Sequence, residues 1–248
     1  MAKIQLSPAN FRFSMSPGEF IVNSATLKSE IESESPKPKT IHLVHNIYEK
    51  SPTLSEEDSR LKARESIRAR LKIPNDKVII AAAGRDAPEK DLDFFCDVFK
   101  KVSEKSPNTH GMLVGNCGER IKDRVDKLGI RDKVVFTGEV DDCRDVLPAA
   151  DIFFLSSKTE GMPNIVLEAG ESGCAVVSMD VGGVGEIFGN DSAGITVAER
   201  EPELVARKII SLIENPQLRR SLSENLRNRL QYFTPEAIIC KYNSIIGT

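Results

Sequence analysis

The chain has 248 residues, of which 40% are hydrophobic and 29% are charged. These proportions are ordinary for a folded globular protein and exclude a fibrous or wholly disordered chain. At roughly 100–200 residues per domain, the length allows one large domain or two small ones. The 34 Lys and Arg residues are outweighed by 37 Asp and Glu residues, so no global positive field indicates a nucleic-acid partner.

The cysteines, the histidines and the apolar runs bear on compartment and metal binding. Five cysteines without a C-x-x-C pair, each in or beside an apolar segment, predict reduced and mostly buried thiols. The three histidines are too scattered to suggest a metal site. The start of the chain has no apolar stretch like that of a signal peptide, and no run approaches the ~18 apolar residues of a membrane-spanning helix. We expect a cytoplasmic protein, for which peripheral membrane contact stays open.

The N-terminal part, residues 1–50, has little regular pattern. Residues 1–19, with two prolines and several serines, favour an irregular lead-in. A short strand at 20–22, a helix at 24–31 and a strand at 40–44 then follow. This strand–helix–strand unit is too small to enclose a core of its own.

Residues 51–75 are interpreted as a polar linker and a strongly charged helix at 56–72. The helix is predicted to bury one apolar edge, formed by Leu61, Ile67 and Leu71, and to leave its basic face in solvent. The alternative is that this basic face contacts an anionic membrane or another polyanion.

From residue 77 onward, short apolar runs alternate with segments of helical length. The apolar runs predict strands at 78–83, 111–114, 134–136, 151–155, 175–179 and 194–197. The other segments predict helices at 91–104, 119–128, 142–147, 164–172 and 184–188, and three more, each introduced by a proline, at 201–213, 216–230 and 235–246. This alternation is typical of an α/β protein with a doubly wound parallel sheet, which binds ligands beyond the carboxyl ends of its strands. We assign the sheet domain to 76–231 and a final helix to 232–248.

The loop after the first of these strands carries two cations. It reads Gly84-Arg85-Asp86-Ala87-Pro88-Glu89-Lys90 and leads directly into a helix. Free backbone N–H groups, the positive end of the helix dipole and the side chains of Arg85 and Lys90 would converge on one anion, so the loop predicts a phosphate site. The chain contains neither a Walker sequence nor G-x-G-x-x-G.

A second loop, after the strand at 151–155, reads Glu160-Gly161-Met162-Pro163-Asn164-Ile165-Val166-Leu167-Glu168. Pro163 suits the first helical position, which would leave the N–H groups of 161, 162 and 164–166 free at the carboxyl edge of the sheet. Glu160 lies before the helix and Glu168 lies inside it. Each is a potential acceptor for a vicinal diol.

The two acids in a Glu-x7-Glu spacing, together with the Gly84-Arg85 pair and Lys90, resemble the donor-binding domain of retaining glycosyltransferases with the GT-B fold, of the group 1 or family 4 type. Supporting phrases follow the order of that family, at 114–118, 135–140, 149–151 and 182–187. The resemblance covers about residues 76–235. It implies one Rossmann-like half of a GT-B fold, to which residues 20–46 add a small remnant of the N-terminal domain.

The resemblance implies a role for each matching residue. Arg85 and Lys90 would neutralise the diphosphate of a nucleotide-sugar and stabilise it as a leaving group. Glu168 would accept hydrogen bonds from the ribose diol, while Glu160 would contact sugar hydroxyls without acting as a nucleophile. The other implied donor-binding residues are Gly84, Gly138, Val140, Gly161, Met162, Pro163, Asn164 and Ile165. No metal or cofactor is implied, and the donor is UDP-, GDP- or ADP-linked.

The chain departs from the family at a residue outside the presumed chemistry and, more importantly, in its length. Asp91 follows Lys90 where the family usually has Gly. The length accounts for one of the two Rossmann-like domains of a GT-B enzyme, so we expect a missing N-terminal domain or partner subunit to hold most of the acceptor site. The isolated chain is then expected to be inactive or weak. The alternatives are a GT-B sugar-nucleotide epimerase, a glycogen-synthase-like enzyme and a non-catalytic nucleotide-sugar-binding module.

Overall fold

The computed structural model describes residues 4–6, 11–16, 19–34, 40–189 and 192–246. Its strands are β1 (Ile4–Leu6), β2 (Phe11–Ser16), β3 (Glu19–Val22), β4 (Ile41–Leu43), β5 (Val78–Ala83), β6 (Thr109–Val114), β7 (Val134–Gly138), β8 (Ile152–Leu155), β9 (Ala175–Met179) and β10 (Ile195–Val197). The last six form one parallel sheet in the order β10-β9-β8-β5-β6-β7, and the first four form a smaller sheet in chain order. The predicted doubly wound parallel sheet is confirmed.

The α-helices agree with the predicted spans to within a few residues. They are α1 (Ala25–Glu34), α2 (Glu57–Arg70), α3 (Leu92–Lys105), α4 (Gly118–Lys127), α5 (Asn164–Glu171), α6 (Val184–Phe188), α7 (Pro202–Glu214), α8 (Pro216–Arg229) and α9 (Pro235–Ile246). The helix predicted at 142–147 is wrong, because two short 3-10 turns, Cys143–Asp145 and Leu147–Ala149, occupy this region. Pro148 cannot donate the hydrogen bond that would continue an α-helix.

The six-stranded sheet is buried on both faces. Phe153 and Phe154 are neighbours in β8 and therefore point to opposite faces. Each is fully buried, and they belong to different hydrophobic clusters. One cluster joins the sheet mainly to α2, α5, α6 and α8, and the other mainly to α3, α4 and α7. Burial on both faces explains why these strands are continuous apolar runs in the sequence.

The N-terminal segment is more regular than expected. Residues 4–6 and 11–16 form β1 and β2, so the irregular lead-in predicted for residues 1–19 is wrong for these residues, and the rest of residues 1–18 lies outside the described residues. Both strands pair antiparallel within the small sheet, in which β3 and β4 run parallel on either side of α1 in sequence. The sequence FRFSMS at 11–16 alternates apolar and polar residues with the period of a strand. The flanking prolines, which favour loops, obscured that period.

The last helix packs on the small sheet. Ile238 of α9 is buried with Ile21 of β3 and Val44, which follows β4. Tyr242 and Ile245 add partly buried contacts on the same side of the helix. The last described helix is thereby joined to the N-terminal sheet.

Helix α2 buries arginines as well as apolar residues. Arg64 and Arg68, one turn apart, bind the Asp151 carboxylate at 2.7 and 2.9 Å, and the side chain of Arg68 is only 1% exposed. Leu61, predicted to be buried, is instead 52% exposed. Asp151 also accepts a hydrogen bond from the backbone N–H of Ile79 at 2.7 Å, and its partly buried charge requires cationic partners. The predicted solvated basic face is therefore wrong for these two arginines.

The cysteines are free thiols, and Cys96, Cys117 and Cys174 are buried. Burial raises the pKa of Cys174 to about 12 and that of Cys117 to about 11, so both thiols are protonated at neutral pH. The prediction of mostly buried thiols is confirmed. Among the described helices, none combines the length and the apolar character needed to traverse a bilayer.

The strand order sets the position of the two sequence motifs. From β5 the chain builds the sheet outward through β6 and β7, and from β8 it builds in the other direction. The loops after β5 and β8 separate at this reversal, where sheets of this kind bind ligands. Residues 84–91 follow β5 and residues 156–163 follow β8, so both motifs lie at the switch point.

Candidate functional site

An ion pair joins the two motifs at the carboxyl edge of the sheet. Lys90 Nζ lies 2.8 Å from Glu160 Oε1, and their side chains are 27% and 13% exposed. The hydroxyl of Ser157 donates a hydrogen bond of 2.6 Å to the same oxygen. The structure thus brings together a cation and a carboxylate that are 70 residues apart in the sequence.

The backbones of the two loops are also connected. The Ser156 hydroxyl donates to the Lys90 carbonyl at 2.9 Å, and the Lys158 N–H donates to the Glu89 carbonyl at 2.8 Å. A Cβ added at Gly84 would lie 3.1 Å from Lys90 Cγ, so the lysine stem packs closely on this glycine. These contacts fix the direction of the Lys90 side chain.

Asp91, the departure noted in the sequence, occupies a left-handed position. Its φ is +45°, a conformation that favours glycine and that aspartate tolerates better than most residues. Its carboxylate lies 2.6 Å from Arg200 and 3.5 Å from Lys158. Arg200 also donates to the carbonyls of Ser156 and Ser157, at 2.8 and 2.9 Å. The aspartate therefore anchors an arginine that holds the second loop.

Arg85 is not in contact with Lys90 or Glu160. Its guanidinium lies 2.7 Å from the Glu89 carboxylate and is 67% exposed. The predicted convergence of two cations is therefore not present in this arrangement. An exposed ion pair of this kind is weak, so the side chain is free to exchange partners.

The loop before α5 presents open backbone donors. Pro163 is the N-cap residue, with φ −77° and ψ 99°, and not the first helical residue as predicted. The Val166 N–H is bonded to the Pro163 carbonyl at 3.0 Å, so it is not one of the open donors. Within the described residues, hydrogen bonds to the protein are absent from the N–H groups of Gly161, Met162, Asn164 and Ile165.

Asn46, from the segment after β4, holds this loop from the outside. Its amide donates to the Met162 carbonyl at 3.2 Å and to Asn164 Oδ1 at 2.9 Å. Its own backbone N–H lies 3.3 Å from the Met162 sulfur, and its side-chain oxygen accepts from Asn23 at 3.1 Å. The N-terminal unit therefore forms one rim of the site.

A glycine pair after β9 supports the same loop from within. Gly182 has a φ of +51°, and a Cβ there would lie 2.3 Å from the carbonyl oxygens of both Glu160 and Gly161. The Gly183 N–H donates to the Gly161 carbonyl at 2.7 Å. Only glycine allows this approach of two backbones.

Glu186 connects the start of α6 to the N-terminal unit. One carboxylate oxygen lies 2.7 Å from His45 Nε2, and the other accepts from the Ala25 N–H at 2.7 Å. The Thr26 hydroxyl adds a hydrogen bond of 2.9 Å to the Gly182 carbonyl. His45 was given no function from the sequence, and the structure gives it a role in joining the rim to the site.

Glu168 lies on α5 and is partly buried. Burial raises its pKa, and the negative charge of Asp142 acts in the same direction while Arg144 opposes it. Within the described residues, no group donates a hydrogen bond to its carboxylate. Its neighbour Glu171, in contrast, accepts from the Tyr48 hydroxyl at 2.7 Å. A carboxylate with open acceptor positions suits a polar ligand.

Glycines at the carboxyl ends of β5, β6 and β7 allow the backbones of the loops that follow these strands to approach closely. The Gly115 N–H donates to the Gly138 carbonyl at 3.1 Å, and a Cβ on Gly115 would lie 3.0 Å from the Gly84 carbonyl oxygen. Gly138 is exposed, while Val140 packs partly buried against the cluster that contains β8 and α5. The loop with the implied donor-binding residues Gly138 and Val140 therefore begins beside the Gly84 loop.

Some of these contacts had no clear signal in the sequence. The Arg200–Asp91 pair spans 109 residues, and no local pattern indicates such a partner. Asn46 and Gly182 lay within phrases that the resemblance had marked, but no role was assigned to either. Among the residues that the structure describes, no group of three or more His, Cys, Asp or Glu side chains is arranged to hold a metal ion.

Comparison with known proteins gives these features a family context. The family profile described as "Glycosyl transferases group 1" matches residues 63–229. The lipopolysaccharide core biosynthesis glycosyltransferase LpsE of Rhizobium meliloti (strain 1021) is 29% identical over 186 residues, which cover 73% of this chain and 53% of LpsE. The chain spans about half the length of the curated relatives that it matches.

Solved structures that share the fold include the following two. HepE of Anabaena, in complex with UDP-glucose, matches 92% of this chain with 63% of its own, at a TM-score of 0.78 and 19% identity. The C-terminal domain of a group 1 glycosyl transferase (LpcC) from Francisella tularensis matches 74% of this chain with 97% of its own, at a TM-score of 0.63 and 22% identity. The Rossmann-like half of a GT-B fold is confirmed. The chain belongs to the glycosyl transferases group 1 family.

Proposed function

We propose that the protein is the donor-binding part of a retaining glycosyltransferase, which transfers a sugar from a nucleotide-sugar to a glycan, lipid or small glycoside. The observation that carries this proposal is the Lys90–Glu160 pair at the switch point, beside the open N–H groups of residues 161, 162, 164 and 165. The ammonium and the N–H groups at the start of α5 are suitable donors for a diphosphate. The carboxylate is a suitable acceptor for the hydroxyls of the adjoining sugar.

Donor binding does not require the ion pair to break. An ammonium group has three N–H donors, so Lys90 can bind a phosphate oxygen while one N–H still points to Glu160. Arg85, which is exposed and held only by Glu89, can turn towards a second phosphate oxygen. Loss of the exposed Arg85–Glu89 pair costs about 1 kcal/mol or less. A charge-assisted bond from Arg85 to phosphate readily offsets this cost.

Leaving-group stabilisation is then the main task of the site. As the bond between the sugar C1 and the phosphate oxygen breaks, its electron pair passes to the diphosphate, where Lys90 and Arg85 stabilise the growing negative charge. The acceptor hydroxyl attacks C1 from the side that the leaving group vacates, and its proton passes to the departing phosphate oxygen. This course retains the configuration at C1 without a nucleophile from the protein.

The remaining site residues are assigned to recognition of the nucleoside. Glu168 has open acceptor positions for the two hydroxyls of ribose, and the 138–140 loop offers backbone groups to the base. HepE, whose fold this chain shares, was solved with UDP-glucose, so UDP is the first nucleotide to test. GDP and ADP follow, because backbone groups can read any of the three bases.

We further propose that a second domain or a partner subunit supplies the acceptor side. Holding donor and acceptor together contributes roughly 7–11 kcal/mol of barrier reduction in well-oriented reactions. The described residues offer one wall of such a cleft, formed by the large sheet and the rim around Asn46. We also propose a cytoplasmic location, since three of the five cysteines are buried as free thiols.

The proposal is tested by calorimetry on Lys90→Ala and Arg85→Ala with UDP, GDP and ADP and with the corresponding nucleosides. We expect each variant to weaken diphosphate binding about tenfold or more, as loss of a charge-assisted bond of roughly 1.5–3 kcal/mol predicts, and to change nucleoside binding little. Lys208→Ala, an exposed lysine on α7, is the matched control and should bind as the parent does. Parent-like diphosphate binding by both site variants would refute the assignment.

A further inference from the structure

A cavity of about 540 Å³ lies at the amino ends of the strands of the large sheet, opposite the carboxyl ends that carry the candidate site. It is bounded by α2, by α8, by the residues that precede β8 and by the Ser172–Gly173 turn that precedes β9. The loops at 84–91 and 156–163 follow the carboxyl ends of β5 and β8. Because all six strands are parallel, the cavity and the proposed donor site are on opposite edges and share no residue.

The lining of this cavity is rich in arginine. The guanidinium groups come from two facing helices, and the cavity also has three carboxylates, of which Asp151 is already bound by Arg64 and Arg68. The five lining arginines are Arg60, Arg64, Arg219, Arg220 and Arg227.

Three of the arginines are held in place by the protein. Arg60 and Arg219 each donate to a backbone carbonyl, at 3.0 and 2.9 Å, and Arg64 binds Asp151 at 2.7 Å. Hydrogen bonds to carbonyls orient a guanidinium group without neutralising its charge. The cavity therefore has cations that are fixed before any ligand arrives.

The positive charges in the cavity repel one another. Burial lowers the pKa of Arg60, and the charge of Arg227 lowers it further against the opposing charges of Glu57 and Glu171. Burial also lowers the pKa of Arg219, with Arg64 and Arg220 acting in the same direction against Asp151. In the described part of the chain, no carboxylate lies within 4.0 Å of Arg60, Arg219, Arg220 or Arg227. An anion bound between the two helices would relieve this repulsion.

A buried hydroxyl adds an independent observation. Ser172 lines the cavity and is only 5% exposed, yet its Oγ has no hydrogen-bond partner among the described residues. A buried hydroxyl without a partner costs free energy unless a ligand or solvent satisfies it. Ser172 therefore places an unsatisfied polar group in the wall of the cavity.

We propose that this cavity binds a phosphorylated anion through the arginines of α2 and α8. Arginine matches phosphate geometry, since its planar fork forms two parallel hydrogen bonds with phosphate oxygens. A phosphate carries more than one charge at neutral pH, whereas a carboxylate carries one, so phosphate neutralises several guanidinium groups together. Either a lipid headgroup or a free phosphorylated molecule supplies this chemistry.

Calorimetry with tripolyphosphate at low salt tests the proposal. The whole chain carries Arg85→Ala and Lys90→Ala in every arm, so the two cations of the proposed donor site do not contribute, and this double variant is the parent for comparison. We expect Arg220→Gln together with Arg227→Gln to weaken binding about tenfold or more. The matched control, Arg207→Gln with Lys208→Gln on exposed positions of α7, makes the same change in net charge and should alter the affinity by about twofold or less.

Further arms make the outcome decisive. Arg220 is exposed and makes no polar contact with the described residues that the substitution would remove, so Arg220→Gln alone should fold even if the double variant does not. This single variant should weaken tripolyphosphate binding measurably. Flotation with phosphatidylcholine vesicles, with and without phosphatidic acid, identifies the source. Arginine-dependent binding to the acidic vesicles would support a headgroup, and tripolyphosphate binding without vesicle binding would support a free molecule. No tripolyphosphate binding by the parent, or equal binding by parent and cavity variants, would overturn the proposal whether or not the donor site binds UDP.

Discussion

Replacement of Gly182 by alanine tests how the loop that carries Glu160 is held. A Cβ at this position would lie 2.3 Å from two backbone carbonyl oxygens, those of Glu160 and Gly161. Ordinary contacts of carbon need more than about 3 Å, so one backbone must move by roughly 1 Å. The same segment is bound through the Gly183 N–H and through the Lys90–Glu160 pair. The displacement therefore changes the position of the Glu160 carboxylate.

The expected loss of stability has three sources. A left-handed backbone costs about 1–2 kcal/mol for a residue with a Cβ, overpacking costs about 1–3 kcal/mol, and the weakened Gly183–Gly161 hydrogen bond costs about 1 kcal/mol. Allowing for partial relaxation, we expect Gly182→Ala to lower the free energy of unfolding by about 3 kcal/mol. Gly185→Ala is the matched control, because a Cβ there meets no atom within 4 Å and no positive φ is required. Since Gly185 lies within α6, alanine should stabilise the protein by about 0.5–1 kcal/mol.

Urea unfolding of the two variants and the parent measures these differences, and calorimetry with UDP measures the effect on the site. We expect Gly182→Ala to unfold at a lower urea concentration. It should also bind UDP at least about tenfold more weakly, because the open N–H groups of Gly161 and Met162, which are assigned to the diphosphate, move with the same segment. The reasoning would be refuted if Gly182→Ala and Gly185→Ala unfolded at the same urea concentration as the parent. Normal stability of Gly182→Ala would mean that the close approach of the two backbones is not needed.

Three further predictions concern individual side chains and the whole reaction. Burial holds the pKa of Glu168 above its ordinary value in the folded state, so its charge lowers stability at neutral pH, and this penalty fades as the pH falls through the raised pKa towards the unfolded value. Glu168→Gln should therefore raise the melting temperature at pH 7 but not at about pH 4. The same variant should reduce the preference for ribose over 2′-deoxyribose nucleotides, and an unchanged preference would remove the ribose assignment. Arg200→Gln should lower the free energy of unfolding, measured with urea, by about 1–3 kcal/mol, because Asp91 and two loop carbonyls lose their common partner. Arg207→Gln, at an exposed position, should change this free energy by about zero. Similar effects of the two variants would contradict the anchoring role of Arg200. The isolated chain should be stabilised by donor in thermal shift and yet show little transfer to any acceptor, and robust multiple-turnover transfer would contradict the need for a second domain or subunit.

The large sheet was predictable because its signals are local. Strands buried on both faces, such as β5 and β9, are short apolar runs, and the prolines at the starts of α7, α8 and α9 mark these helices in the sequence. The strand order of such a sheet then places the loops after β5 and β8 side by side. The proximity of Lys90 and Glu160 follows from that geometry.

Other contacts depend on partners that no local pattern identifies. Arg64 and Arg68 turn inward because Asp151 lies beneath them, and the sequence of α2 alone reads as a solvated basic helix. Asp91 is unusual at a left-handed position, and its partner Arg200 lies just before α7. Pro163 was placed one residue too far into its helix, since the end of a helix is set by hydrogen bonds that sequence does not show.

Hydrogen exchange of the whole chain with and without UDP tests the central claim, which is that the carboxyl edge of the large sheet binds a nucleoside diphosphate. We expect saturating UDP to slow exchange in peptides that cover residues 84–91, 138–141 and 160–168, where the open N–H groups become bonded. Peptides from α2 and α8, which line the arginine-rich cavity, should be unchanged. Protection confined to α2 and α8, or no protection at the carboxyl edge despite measurable binding of UDP, would contradict the account.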